Sequence, residues 1–374
     1  MIYFDCAASS LQKPPSVYDA HITAMRAFSC GVGRSGYAPA LRAAEKIYEV
    51  RERAAEFFGM PKPCGAVITH NATHALNTAL KGTILPGERL VISDMEHNAV
   101  YRTAMWLKNC GVKIDIVHIA FSDDETCENF RAAFSKETRA VCITHISNVF
   151  GNILPIRRIF EDAKKHGILT ILDASQSAGS IKINMEDDNI DILCCAGHKG
   201  LMGPQGTGLM CVNSDVDINP VIHGGTGSDS VSPDMPKYLP DRFEAGTHDT
   251  PGIIALGEGM GFIENLGVEK IFEHEKSIIS FIKTELSKLP NVTIYERAQN
   301  TAGLFSFNIE GIDSEETAAR LDALEICVRS GLHCSPLAHK SSGTLECGTV
   351  RVSAGIYNTF EEAERLIWAV RSIA

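Results

Sequence analysis

The sequence predicts an α/β protein: a large domain with a mostly parallel, seven-stranded sheet, followed by a smaller α+β domain. From about residue 40, short apolar segments rich in β-branched residues alternate with longer segments whose apolar residues recur at helical spacing. Strands that are apolar throughout are typical of parallel sheets covered by helices on both faces. After about residue 250 this alternation stops, which indicates a second lobe.

The elements of the large domain follow in order along the chain. A helix over 40–59 ends at Gly59, a second begins at Asn71 or Thr73, a third runs through Trp106, and a fourth covers 157–167. Seven apolar segments between and after these helices predict the strands, at 65–70, 89–94, 112–120, 139–147, 168–175, 190–197 and 206–213.

The smaller domain is predicted from longer helical patterns and shorter strands. Helices are expected at 253–267 and 268–289, strands at 291–296 and 303–311, and a C-terminal helix before residue 374. We expect the large domain to span 15–258 and the small domain to combine 1–14 with 259–374.

Composition excludes several classes of protein. The 374 residues carry a formal net charge of -11 and no basic run, which argues against nucleic-acid binding. The N-terminus lacks a secretory pattern and no segment is apolar enough to span a membrane, so a cytoplasmic protein is expected. Twelve cysteines in a chain of this length do not form a disulfide framework, and without C-x-x-C no metal site is expected.

Polar residues follow five of the predicted strands. They lie at 70–73, 94–97, 145–148, 173–176 and 197–199. Ligands of parallel sheets gather at the carboxyl ends of the strands, so these residues are expected to face one crevice.

Lys199 and Asp173 lie at the ends of two strands that are expected to be neighbours. Taken alone, Lys199 could equally be a surface lysine in a loop. A lysine that forms a Schiff base, with a carboxylate facing a pyridinium nitrogen, is the equipment that proteins use for pyridoxal phosphate (PLP). The pair therefore favours a PLP site.

A PLP site also needs donors for the phosphate. The helix start at Ala72 and Thr73 offers free backbone N–H groups and the positive end of a helix dipole. His97, at another strand end, could stack on the ring or transfer protons, although a lone histidine is more often structural. The segment "GPQGTG" (203–208) lacks the G-K-[ST] ending of a nucleotide-binding loop and indicates a tight turn.

Together these motifs resemble a known family. The segments "ILDASQSAG…DILCCAGHKGLMGPQGTG" and "RFEAGTHDTPGIIALG" look like class V aminotransferases, PLP enzymes of fold type I. More narrowly they resemble SufS-like cysteine desulfurases and selenocysteine lyases, over nearly the whole chain.

The resemblance implies a role for each site residue. Lys199 would be the Schiff-base lysine, Asp173 the partner of the ring nitrogen, and His97 the ring that stacks on the cofactor. The other implied contacts are Gln176 to the ring hydroxyl, Ala72, Thr73 and His198 to the phosphate, Thr247 to the phosphate of the neighbouring subunit of a homodimer, and Asn148, Arg351 and Arg329 to the substrate.

The chain departs from the family pattern at three places. Ala196 replaces a common serine, so one phosphate hydroxyl is missing. His74 stands where an acidic residue is common, and the segment 335–350 carries a cysteine of its own, Cys347.

Cys334, in "RSGLHC", matches the position at which desulfurases carry a persulfide. Nearby cations such as Arg329 or Arg351 would favour its thiolate, the nucleophilic form. Cys194 and Cys195, by contrast, lie in an apolar strand and are expected to be core residues pointing to opposite faces.

The resemblance thus implies conversion of cysteine or selenocysteine to alanine, with sulfur or selenium passing through Cys334 to an acceptor, as in iron–sulfur cluster assembly. The sequence does not decide between sulfur and selenium. Two alternatives remain: another class V enzyme, such as an aminotransferase of small amino acids, and a non-catalytic iron–sulfur or metal-binding scaffold.

Overall fold

The computed structural model describes residues 1–33, 35–213 and 215–374. Its helices are α1 (Pro15–Ala27), α2 (Ala38–Phe58), α3 (Ala72–Thr83), α4 (Asn98–Asn109), α5 (Asp123–Ala133), α6 (Ile156–Lys165), α7 (Thr250–Leu266), α8 (Val268–Leu286), α9 (Ser314–Asp322), α10 (Pro336–Ser341) and α11 (Phe360–Ile373). Its strands are β1 (Ile2–Tyr3), β2 (Ala66–Thr69), β3 (Arg89–Ser93), β4 (Lys113–Val117), β5 (Thr138–Thr144), β6 (Leu169–Asp173), β7 (Ile192–Ala196), β8 (Gly208–Val212), β9 (Val292–Tyr295), β10 (Leu304–Ile309), β11 (Ile326–Cys327) and β12 (Val350–Ser353). Among the helices in these ranges, none is long and apolar enough to cross a membrane.

The large sheet has seven strands within the described residues, in the order β2-β8-β7-β6-β5-β3-β4. Strands β7, β6, β5, β3 and β4 pair in parallel, whereas β8 is antiparallel to both of its neighbours. The turn between β7 and β8 is too short to hold a crossover helix, which forces the antiparallel pairing. The predicted mostly parallel, seven-stranded sheet is confirmed.

Residues on the two faces of this sheet belong to two separate apolar clusters. Cys195 packs in the cluster that contains α2 and α6, and Cys194 packs in the cluster that contains α3 and α4. Both side chains are fully buried, and burial raises the pKa of both thiols far above the usual range. The expectation that this pair is core packing is confirmed.

A third apolar cluster joins the N-terminus to the C-terminal part of the chain. Residues 2–4 pack there with 278–286, 304–309 and 350–370, and β1 pairs in parallel with β11. A three-stranded antiparallel sheet of β12-β10-β9 supports this cluster. On that basis we propose that 1–14 and 259–374 form the small domain and 15–258 the large one.

Several elements differ from the sequence-based expectation. The strand expected at 112–120 ends at Val117, and the elements that were not expected are helices α1, α5, α9 and α10 and strands β1, β11 and β12. The Asp94 carboxylate accepts from the backbone N of Ile119 at 3.1 Å, and this hydrogen bond replaces the sheet ladder beyond β4. Helix α5 does carry a local signal, because Ser122 caps it and three acidic residues fill its first turn.

A buried ion pair ties α2 to the segment before α7. Both terminal nitrogens of Arg51 lie 2.6 Å from the Glu244 carboxylate, which also accepts from the backbone N of Ile68 at 2.7 Å. Burial raises the pKa of Glu244, but the Arg51 charge and the hydrogen bonds from His248 and Arg51 together outweigh burial and hold that pKa below its ordinary value. The carboxylate is therefore ionised at neutral pH, and its contribution to stability is lost only as the pH falls below about 4.5.

Replacing Glu244 with Gln is expected to lower the free energy of unfolding by about 3 kcal/mol, because Arg51 would remain buried without a counter-charge. Urea unfolding followed by circular dichroism measures the change. The control is Glu258→Gln, which removes an exposed pair with Arg53 at 3.9 Å and should cost less than about 1 kcal/mol. Equal losses in the two variants would contradict this prediction.

Candidate active site

One cavity lies at the carboxyl end of the large sheet, where loops from five strands meet. It encloses about 220 Å³ and is closed on one side by residues near the N-terminus and by the segment around Arg351. Ten of the twelve predicted site residues line it: Ala72, Thr73, His97, Asn148, Asp173, Gln176, His198, Lys199, Arg329 and Arg351. Thr247 and Cys334 lie outside the cavity.

Lys199 lies in the turn after β7. The next residue, Gly200, packs so closely against the Ala178–Gly179 backbone that a Cβ would lie 2.3 Å from the Ala178 oxygen. Burial lowers the pKa of Lys199 to about 8, although the nearby Asp173 charge acts in the opposite direction. A substantial fraction of the amine is therefore neutral, and hence nucleophilic, near physiological pH.

Asp173 ends β6, which pairs in parallel with β7, so its side chain lies beside the turn of Lys199. The backbone N of Ser175 donates to Asp173 Oδ1 at 3.0 Å, and the Ser175 hydroxyl donates to the same oxygen. Ser175 was expected only to face the crevice, with no role of its own. Its spacing of two residues after an aspartate was the available signal, because Asp side chains commonly accept from the backbone two residues on.

The start of α3 faces the cavity. Asn71 caps the helix by accepting from the backbone N of His74 at 2.9 Å, and Ala72 and Thr73 form the first turn. Gly208 on β8 packs against this start, since a Cβ there would lie 2.8 Å from the Asn71 carbonyl carbon. The arrangement leaves a helix N-terminus beside the cavity, a geometry that favours a phosphate.

His97 and His198, two of the histidines that line the cavity, are held as neutral rings. Burial lowers the pKa of His97 and of His198 to about 4, assisted in both by the positive charge of Lys199. His97 Nδ1 accepts from the backbone N of Ala99 at 3.0 Å, which places the ring proton on Nε2. His198 Nδ1 lies 3.1 Å from the hydroxyl of Ser9.

Gln176 connects the cavity to the N-terminal segment. Its Nε2 donates to the Ala7 carbonyl at 2.9 Å, and Ala7 and Ala8 line the cavity beside it. The amide oxygen and the second N–H of Gln176 are thus the groups left for a cofactor hydroxyl.

Arg351 is almost completely buried, with 1% of its surface exposed. Its Nη2 donates to Asp5 Oδ1 at 2.6 Å and its Nη1 to the Asn148 carbonyl at 2.8 Å. Among the described residues its Nε has no hydrogen-bond partner. Asp5, which orients this guanidinium, gave no signal in the sequence, because the two residues are 346 positions apart.

The side chain of Asn148 holds the loop that carries Cys334. Its Nδ2 donates to the His333 carbonyl at 2.7 Å, and its Oδ1 accepts from the Ser335 hydroxyl at 2.7 Å. Its predicted contact with a substrate carboxylate stays a prediction.

Cys334 is exposed on the rim of the cavity. Its Sγ lies 3.8 Å from Nη2 of Arg329, which itself lines the cavity. Of the two cations considered for Cys334 from the sequence, Arg329 is the one at hydrogen-bonding distance, while Arg351 is engaged by Asp5.

Thr247 is exposed and lies with His70 and His74 at a separate, smaller cavity. Its predicted contact with a neighbouring subunit stays a prediction. The described residues contain no group of three or more His, Cys, Asp or Glu side chains that could hold a metal ion.

The residues around the cavity fit PLP. They supply an amine for the aldehyde, a carboxylate for the ring nitrogen, a neutral imidazole, and a helix N-terminus for the phosphate. Lys199 would hold the aldehyde, Asp173 the ring nitrogen, and Ala72 with Thr73 the phosphate, while His97 would lie against the ring.

Known proteins share this architecture. A family model described as "Aminotransferase class-V" matches residues 2–366. A protein of Methanothermobacter thermautotrophicus named probable cysteine desulfurase is 32% identical over 100% of this chain and 94% of its own length. A cysteine desulfurase of Shigella flexneri is 30% identical over 100% of this chain and 93% of its own length.

A solved structure has a similar fold. The apo cysteine desulfurase from Thermococcus onnurineus NA1 superimposes with a TM-score of 0.91 and 30% identity, covering 100% of this chain and 94% of that one. On these matches the chain belongs to the class V aminotransferase family of PLP-dependent enzymes.

Proposed function

We propose that this enzyme is a cysteine desulfurase, which converts L-cysteine to L-alanine and holds the sulfur on Cys334 as a persulfide. The observation that carries the proposal is the position of Cys334, exposed at the rim of the cavity, with Arg329 in contact with both Sγ and the cavity. The names of the relatives support the substrate.

Different residues of the site would have different roles in the proposed reaction. Bound PLP supplies an electron sink for negative charge on the substrate Cα. Arg351 would bind the substrate carboxylate through the Nε that is unpartnered among the described residues, and Asp5 fixes the plane of its guanidinium. Lys199, neutral in part near pH 8, would take the proton from the substrate Cα.

The proposed sulfur transfer is a nucleophilic displacement at the substrate sulfur. The Cys334 thiolate attacks the substrate sulfur, an S–S bond forms, and the substrate C–S bond breaks. The electron pair of that bond stays on the carbon skeleton, which takes up protons and leaves as alanine. Cys334 retains the sulfur as a persulfide, and Arg329 would stabilise its negative charge.

The pKa of Lys199 also predicts how the rate of PLP uptake depends on pH. The rate of PLP uptake by cofactor-free protein is expected to rise with pH to about 8 and then level off, because only the neutral amine attacks and its pKa is about 8. Absorbance measurements between pH 6 and 10 follow the uptake. A rate that keeps rising toward the ordinary lysine pKa of 10.5 would contradict a lowered pKa.

L-Selenocysteine is the alternative substrate of this proposal, because selenium in the same position is the better electrophile. Steady-state rates of alanine formation from both amino acids, on one preparation, decide between them. Mass spectrometry after a single turnover with cysteine should find the added sulfur on the Cys334 peptide. Added sulfur on the Cys347 peptide alone would overturn the proposed carrier.

The proposal also includes an acceptor protein for the sulfur, a homodimer and a cytoplasmic location. Exposure of Cys334 suits transfer to an acceptor protein, as in iron–sulfur cluster assembly, and exposure of Thr247 suits a homodimer with shared sites. A nucleophilic exposed thiol needs a reducing compartment, which supports a cytoplasmic location.

A further inference from the structure

The segment 335–350, between Cys334 and Arg351, buries a histidine that the proposed reaction does not use. His339, on α10, has no exposed surface and lies directly behind the loop that carries Cys334. Its ring lies nearly parallel to that of His333, with centroids 5.6 Å apart and planes 16° from parallel. His333 is itself 97% buried, since 3% of its surface is exposed.

The hydrogen-bond partners of the two rings determine which ring nitrogens carry protons. The Arg329 carbonyl determines the first of these, because a carbonyl oxygen can only accept a hydrogen bond. His333 Nε2 lies 3.2 Å from the Arg329 carbonyl and must therefore carry a proton. His333 Nδ1 is then an acceptor, so His339 Nε2, at 3.4 Å, is the donor to it. His339 Nδ1 in turn accepts from the Thr344 hydroxyl at 2.8 Å.

A positive charge on either ring disrupts this chain of hydrogen bonds. A proton on His333 Nδ1 would face the N–H of His339 Nε2. If His339 instead moved its proton to Nδ1, the Thr344 hydroxyl would have to accept from Nδ1 and could donate only to the His339 carbonyl, at the long distance of 3.5 Å. The hydrogen bonds thus favour two uncharged imidazoles.

The surrounding charges act in the same direction. Burial, together with the charges of Arg351 and Arg329, lowers the pKa of His333 to about 2, although its hydrogen bond to the Arg329 carbonyl acts in the opposite direction. Burial also lowers the pKa of His339 to about 4. Both rings are expected to be neutral throughout the working pH range.

The backbone next to these rings adopts a costly conformation. His333 and Cys334 have φ of 49° and 59°, and within the described ranges they are the one pair of adjacent non-glycine residues with positive φ. Left-handed backbone costs an L-residue about 1–2 kcal/mol and persists only where neighbours impose it. Asn98 contributes by donating to the Cys334 carbonyl at 2.7 Å, and Asn148 by donating to that of His333 at 2.7 Å.

We propose that His339 and Thr344 are positioning residues for Cys334. By fixing the uncharged Nε2–H tautomer of His333, they hold that ring on the Arg329 carbonyl and keep Cys334 in its left-handed conformation beside the Arg329 guanidinium. Within the described part of the chain, Arg329 is then the cation in contact with Cys334, and His333 serves as neither acid nor base. The inference rests on the proposed role of Cys334 as the sulfur carrier.

Two substitutions of His339, with nearly equal expected losses of stability, distinguish this positioning role from a role in core packing alone. In His339→Gln the side-chain amide N–H can reach the Nε2 position and donate to His333. In His339→Asn the side chain ends at the Nδ1 position, so the acceptor for Thr344 is kept and the donor to His333 is lost. Thr344→Val removes the hydroxyl without touching either ring, and Thr344→Ser restores it.

The measurement is the alkylation of Cys334 by iodoacetamide in PLP-loaded protein between pH 5 and 9, followed by mass spectrometry of its peptide. Wild type and His339→Gln should show one titration step and rates within twofold of each other. His339→Asn should change the rate at pH 7 at least threefold and add a second step, because His333 becomes able to take a proton. Thr344→Val should shift the rate in the same direction as His339→Asn, and Thr344→Ser should return it to within twofold of wild type.

A single step at the wild-type rate in His339→Asn, in protein that keeps its PLP absorbance, would overturn the proposal. If that variant does not fold, ¹⁵N NMR of histidine-labelled wild-type protein still decides, since a His333 or His339 ring that titrates between pH 5 and 8 overturns it. Alkylation needs no turnover of cysteine. A wild type that forms no alanine would therefore refute the proposed function while leaving the result on His339 intact.

Discussion

Lys199→Ala protein is expected to be colourless after incubation with PLP and to form no alanine from L-cysteine. Lys199 is the candidate for two roles: it would attach the cofactor and then take the proton from the substrate Cα. Loss of a positioned acid–base group alone costs up to about 10⁴-fold in rate. We therefore expect activity at least about 10⁴-fold below wild type, since the attachment is lost as well.

Absorbance spectra and a coupled alanine assay test this expectation. Lys182, which is exposed, supplies the control: Lys182→Ala should stay yellow and fully active. A yellow, active Lys199→Ala protein would remove Lys199 from the proposed chemistry. Wild-type protein that takes up no PLP would refute the whole assignment of the cavity.

Cys334→Ala protein, in contrast, is expected to be yellow and yet to lose alanine formation from cysteine. Cys334 lies outside the cavity that would hold the cofactor, so cofactor binding should survive its loss. Removal of a covalent nucleophile should lower the rate by at least about 10³-fold, as it does in other enzymes with such a group. The loss with selenocysteine should be smaller, because selenium leaves more readily.

Cys347 provides a matched control, since it is the other exposed cysteine of this loop region. Its Sγ lies 3.7 Å from Nδ2 of Asn308, in a separate set of contacts from those of Cys334. Cys347→Ala should retain the wild-type rate and the persulfide on Cys334. If Cys334→Ala released alanine from cysteine at the full rate, the persulfide route would be wrong and the aminotransferase alternative would gain support.

Much of the fold and of the cofactor site could be predicted from local patterns. Most strands of the large sheet are continuous apolar segments, whereas the edge strand β4 alternates charged and apolar residues. Where such strands are parallel, the polar residues that follow them lie at the same carboxyl edge. That rule alone brought Asp173 and Lys199 together. Helix α10 was not predicted, because six residues are too few to show the helical periodicity of apolar side chains.

Other parts of the site depend on contacts that no local pattern encodes. The side chain of Asn148, whose predicted substrate contact stays a prediction, also bonds the His333 carbonyl and the Ser335 hydroxyl, more than 180 residues away along the chain. Only the packing of the C-terminal segment onto the large sheet creates that contact.

By itself, then, the sequence determined the α/β architecture, the candidate cofactor lysine with its aspartate, and Cys334 as the candidate nucleophile. The tertiary structure decided which cation lies beside Cys334, how Asp5 orients Arg351, and that His333 and His339 pair as neutral rings. The physical reason is range. Periodicity and capping act over a few residues, whereas charge pairing and tautomer choice depend on groups that only the packed chain brings within 4 Å.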